Sequence, residues 1–263
     1  MKIVVLVLIL NSFLFSKVYY SKVEPYEIRN ISSNVSGLVL FTDENMIGKK
    51  LSSKSFIKID AELDNKEINY INEKLVYLAN TVKSNESVLV NLEQLLLRKR
   101  KNYDNIKSLK IKSTLEKDRE YYDLISSENV YLNTMKEIHN LKINIADLEL
   151  RRAYLNRSIT DKNLSAKGFT LYSISVKAGQ VVGMATPLAQ VADVSRALLT
   201  IYLDEEDLLG IDDKKIYLDG EVSEYKISRL LNIADSKNIS KYMAQIIIKS
   251  PKVFSKLVKV ELK

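Results

Sequence analysis

Cysteine and tryptophan are absent from this 263-residue chain, histidine occurs once, and there are only three prolines and seven glycines. Without thiols there is no disulfide framework, thiolate zinc site, iron–sulfur cluster, cysteine nucleophile or lipid-bearing cysteine. The single histidine, His139, leaves almost no acid–base repertoire. A Ser–His–Asp triad or a histidine metal site would have to use it, so the chain reads as a non-enzyme with no catalytic, cofactor or metal residues. The acidic run Asp204-Glu205-Glu206-Asp207 with Asp212-Asp213 lacks a glycine-spaced calcium loop and reads as a polar connection and a helix start.

Long apolar runs are also missing, with one exception. Ile3 to Phe15 is apolar apart from Asn11 and Ser12, follows Met1-Lys2 and ends at Ser16-Lys17. That run is shorter than the roughly 20 residues a membrane-spanning helix needs. Residues 1–16 therefore read as a secretory signal peptide or, if retained, an N-terminal anchor. Export of a cysteine-free body with no second span points to a bacterial periplasm. In that compartment nucleic acid is not an expected partner, despite a net charge of +7 from 40 basic and 33 acidic residues.

The glycines and prolines are unevenly placed: none lies between Lys49 and Lys167. Because both residues punctuate turns and break helices, so long a gap argues for long continuous helices. Alternate steps of three and four from Ile68 reach Ile71, Leu75, Leu78, Val82, Asn85, Leu89, Leu92, Leu96, Lys99, Tyr103 and Ile106, apolar but for Asn85 and Lys99. A second series runs from Leu124 to Ile159, broken by Ser127, Thr134 and Arg152. Each is a coiled-coil seam. The pattern lapses between them, which predicts an antiparallel helical hairpin over residues 64–163 with its tip near 108–118.

The flanks change to short β-like runs with glycines, Val35 to Val39 and Phe56 to Asp60 before the hairpin and comparable runs after it. Gly37 and Gly48 have the same separation as Gly168 and Gly179, and Phe56 with Ile59 is echoed by Leu188 with Val191. This predicts two copies of one β-hairpin unit, residues 28–63 and 164–195, pairing into a small sandwich with the helices inserted between them. Further strand-like runs from Leu199 to Leu262 predict a compact β-barrel over residues 196–263, to which residues 17–27 add a first strand. The fold class is α+β.

This order of parts resembles the HlyD-type periplasmic adaptors, or membrane fusion proteins. The likeness rests on Asn34-Val35-Ser36-Gly37-Leu38-Val39 with Gly48 and Ile59-Asp60, and on Val176 to Val182 with Pro187-Leu188 and Val191-Ala192-Asp193, which look like lipoyl-like half-motifs. The resemblance implies a lipoyl-like sandwich and a homo-oligomeric ring between an inner-membrane transporter and a TolC-type outer-membrane channel, with the hairpin tip docked on the channel. Many drug-efflux adaptors carry at the tip an Arg, a Leu four residues on and a Ser seven further. The matching positions here are Asn102, Ile106 and Ser113, with Tyr103 and Asp118 where the family often has Tyr and Asp. Arginine is replaced by Asn102, directly after Arg100 and Lys101, which complete the set of expected partner-binding residues. A structural coiled-coil scaffold of the envelope is the alternative reading.

Charge is concentrated near that tip. From Arg98 to Lys112 there are seven basic residues and one acid, Asp104. Such a cluster is either a solvated helix face or a steering patch for an acidic partner.

Overall fold

The computed structural model describes residues 17–234 and 241–263. The segment read as a signal peptide or anchor lies outside the described residues. In chain order the elements are β1 (Val18–Lys22), β2 (Glu24–Ser32), β3 (Gly37–Thr42), β4 (Ile57–Ile59), α1 (Glu62–Ser108), α2 (Thr114–Lys162), β5 (Asn163–Leu164), β6 (Thr170–Ile174), β7 (Val181–Val182), β8 (Pro187–Leu203), α3 (Glu205–Leu208), β9 (Ile216–Leu218), β10 (Glu221–Val222), β11 (Ile227–Ala234), β12 (Tyr242–Lys249) and β13 (Leu257–Leu262).

The glycine-spaced repeat corresponds to matching backbone bonds in the sandwich. Gly48 N–H donates to Leu171 O and Leu171 N–H to Lys49 O; in the other half Gly179 N–H donates to Val39 O and Val39 N–H to Gln180 O, all at 2.8 to 3.1 Å. Val39, Phe56, Ile57 and Ile59 from before the hairpin share one core with Leu171, Val182, Leu188 and Val191 from after it. Gly37 is required by close approach, since a Cβ there would sit 2.7 Å from Ile59 Cγ2. Gly48 and Gly179 instead turn the chain at φ of +79° and +90°.

The hairpin leaves the sandwich from paired roots, β4 against β5, with Ile57 opposite Leu164 and Lys58 opposite Asn163. Asp60 accepts the Glu62 N–H at the start of α1 (2.9 Å). Asp64 then binds Ser158 and Lys162 of α2, both at 2.8 Å. The helices have 47 and 49 residues, so each arm extends roughly 70 Å at 1.5 Å per residue. Every seam position from Ile68 to Ile106 and from Leu124 to Ile159 is buried or half-buried. Ile71, Val82, Leu96, Leu124, Ile138 and Leu155 are the most enclosed.

One expectation is corrected. The module expected as a small β-barrel is two packed sheets that do not close into a ring among the described residues. One has the order β1-β13-β9-β10; the other has the order β11-β12-β8-β2, with β6 also pairing β8. They share a core that includes Tyr19, Leu199, Ile201, Ile216, Ile246 and Val260. Where β1 passes β8, the bond between them is made by a side chain, Ser21 Oγ accepting Thr200 N–H at 2.8 Å. The chain kinks at Val23, whose backbone bonds the 255–256 loop instead of β8, and this frees β1 to pair with β13. β2 and β8 then run together across the boundary expected at residue 195, from Glu24 opposite Leu198 to Ser32 opposite Pro187. Pro25 is tolerated because β2 is an edge strand. The acidic run forms α3 and its approaches, where Asp204 binds Lys17, just before β1, and Asp207 binds Tyr19 of β1.

Candidate functional site

The far end of the hairpin is a five-residue turn from Leu109 to Ser113. Its C-terminal side is fixed by a capping box. Ser113 Oγ accepts the Glu116 N–H (3.3 Å), and the Glu116 carboxylate accepts the Ser113 N–H (3.0 Å). Lys112 adds an ion pair to Glu116 at 2.9 Å. The Lys112 bond first, then the Ser113 backbone and side chain, hold the Glu116 carboxyl down at about 2, well below the usual range.

The seven residues expected to bind a partner have unlike surroundings. Lys101, Asn102 and Asp118 are exposed, and none has an ion pair or side-chain hydrogen bond among the described residues. Arg100 is exposed but committed, holding Glu128 of the opposite helix at 2.8 Å. Tyr103 and Ile106 belong to the seam. The Tyr103 ring lies 5.5 Å from that of Tyr121 with Lys107 Nζ 5.7 Å above it, and Ile106 is half-buried in the last turn of α1. Ser113 is exposed, with its hydroxyl engaged in the cap. Asn102 and Ile106, four residues apart, share one helix face.

The structure adds a group that the sequence reading missed. Leu109, Ile111 and Leu115 crown the tip at 41%, 89% and 79% exposure. Lys107 and Lys110 stand beside them, also exposed. A signal was present: these are aliphatic residues just where the seam pattern lapses, so no seam position accounts for them. The tip is thus an apolar crown with a cationic collar, carried on two stiff arms. His139 is an exposed side chain on α2.

No family model and no curated protein sequence matches the chain. Solved structures do. MacA from Actinobacillus actinomycetemcomitans superposes with a TM-score of 0.71 at 16% identity, over 94% of this chain and 78% of that one. The membrane fusion protein Spr0693 from Streptococcus pneumoniae R6 gives 0.57 at 10% identity, over 94% and 99%. A putative efflux transporter from Bacteroides eggerthii DSM 20697 gives 0.52 at 13% identity, over 94% and 68%. At these identities the likeness is one of fold. The chain has the fold of MacA and of the membrane fusion protein Spr0693.

Proposed function

We infer that the protein is a non-enzymatic periplasmic adaptor at the inner membrane, working as a ring of copies that links an inner-membrane exporter to a TolC-type outer-membrane channel. The observation that carries this reading is the exposed apolar and basic crown at the end of a hairpin roughly 70 Å long. Three aliphatic side chains held in water at the most distant point of the molecule gain from burial in a partner. The surrounding cations favour an acidic one and speed the encounter. The β modules at the other end are then the part that meets the transporter. Among the described residues no helix is long and apolar enough to cross a membrane, so on this reading contact with the membrane passes through partners or through residues 1–16.

The test is export in cells whose own copy is replaced by Ile111→Asp with Leu115→Asp. Both positions are exposed, so helix content and melting should stay within the range of surface changes. The adaptor reading expects export to be lost with the protein still folded and present. Full export by a folded variant would remove the tip from the mechanism and favour the scaffold reading.

A further inference from the structure

The seam of α1 is leucine-rich on either side of its middle but not at the middle itself. Leu75 and Leu78 are followed by Val82 and Asn85, and only then by Leu89, Leu92 and Leu96. The register that pairs Glu86 with Lys142 and Lys99 with Ser127 sets Asn85 level with Ile138 and Leu141, seam residues of α2. Asn85 Nδ2 is buried there without a hydrogen-bond partner, the one such side-chain nitrogen or oxygen among the described residues. Lys99, also polar and also in the seam of α1, shows the contrast, since it reaches Ser127 and Asp123 across the hairpin. A buried amide left unpaired forfeits the bonds it made to water, so the two helices are held less firmly at this level than at their leucines.

The helix itself is weakened over the same turns. Thr81 Oγ1 donates to Tyr77 O, Ser84 Oγ to Asn80 O and Ser87 Oγ to Lys83 O, at 3.0 to 3.1 Å. Each hydroxyl shares a carbonyl that the helix uses for its own ladder, and such back-bonding slightly destabilises helices and bends them. In α2 the same kind of bond occurs at Ser127, Thr134 and Thr160, each at least two turns from the next. In α1 three fall one turn apart, around Asn85. The stretch Asn80-Thr81-Val82-Lys83-Ser84-Asn85-Glu86-Ser87-Val88 is also poor in strong helix formers, with Lys83 and Glu86 alone among residues of middling propensity.

We propose that residues 80–88 of α1 form a soft joint at mid-height of the hairpin, about 35 Å from its root at 1.5 Å per residue, with Asn85 as the weak point. An asparagine in a coiled-coil seam can serve to set register. That role is redundant here, because the short turn between α1 and α2 and the paired roots β4 and β5 already fix how the helices align. The effect of Asn85 is local. The seam opens at this level at a lower cost than above or below it, so the outer half of the hairpin tilts on the inner half while both halves keep their own packing. Lys142 and Glu86, an exposed ion pair, brace the joint from outside the seam. The joint is a property of the free chain and depends on neither transporter nor channel.

Hydrogen exchange of the purified full-length protein, read by mass spectrometry of overlapping peptides, is the test. Amides of residues 82–88 should exchange about tenfold faster than those of 72–78 and of 92–98, the adjoining leucine-bearing turns. Asn85→Leu should bring that rate to within about threefold of its neighbours and raise the midpoint of helical unfolding. Asn80→Leu makes the same change at an exposed position of the same stretch and should leave the fast exchange in place. Circular dichroism establishes that each variant keeps its helices. Equal protection of the three segments in the parent chain would overturn the proposal. So would unchanged exchange or a lower midpoint in Asn85→Leu, either of which would show that the asparagine does not weaken the seam. Slowing by Asn80→Leu as large as that by Asn85→Leu would overturn it too, by assigning the effect to helix propensity alone. None of these results bears on tip-dependent export, and loss of the tip reading leaves the exchange pattern unchanged.

Discussion

Ser113 shows how one residue invites two readings. Its position matches a docking motif, yet the structure uses its hydroxyl and N–H to start α2. The pattern Ser113-Thr114-Leu115-Glu116 is itself a capping-box signature, so the second role was legible too. Ser113→Ala is expected to cost about 1 kcal/mol of hairpin stability, read from thermal unfolding of the helical signal. Acid should act on the same group. Glu116 has a folded value lowered to about 2, chiefly by Lys112, so its contribution is present above the ordinary glutamate range. That contribution fades as the pH falls from that range toward about 2. Glu116→Gln should therefore lose less stability on acidification than the parent chain. Identical melting of Ser113→Ala and parent, with parallel acid curves for Glu116→Gln, would assign the cap no role.

At the scale of elements, the hairpin was the most legible part. Its signal is periodic and accumulates over many turns, and Asn85, Lys99 and Ser127 do not interrupt burial of the seam. Lys99 reaches Ser127 at 2.7 Å and Asp123 at 2.7 Å, so a polar seam residue is satisfied by its own partner helix. Neighbouring leucines provide the check. Leu96 is 6% exposed in the seam and Leu97 is 61% exposed on the flank. Leu96→Ala should lower the unfolding free energy by about 2–5 kcal/mol, while Leu97→Ala should stay within about 0.5 kcal/mol in the monomer at low concentration. Equal effects in denaturant titrations would mean that the seam is misassigned. The paired sheets of the base were less legible. Alternation marks a strand but not its neighbour, and the substitution of Ser21 Oγ for a ladder bond to Thr200 depends on a contact between distant segments. The apolar crown escaped for the opposite reason: Leu109, Ile111 and Leu115 sit where the pattern stops, and their exposure is decided by the turn.

For the whole molecule, continuity matters more than the separate modules. β8 runs without interruption from the sandwich into the base, β2 accompanies it, and the sandwich holds both roots of the hairpin through β4 and β5. β1 pairs with β13, which brings the first and last described strands together at the end of the molecule away from the tip. A displacement at the base therefore has a packed path to the hairpin, as a mechanical linker requires. If the protein works as the proposed adaptor, its two ends meet two different membrane proteins. The most direct measurement places a photo-crosslinking residue at Ile111 in one strain and at Tyr20 on the exposed face of β1 in another, and identifies what each captures in living cells. The account expects Ile111 to capture an outer-membrane channel and Tyr20 an inner-membrane transporter. Capture of the same protein at both ends, or of no membrane protein at either, would contradict it.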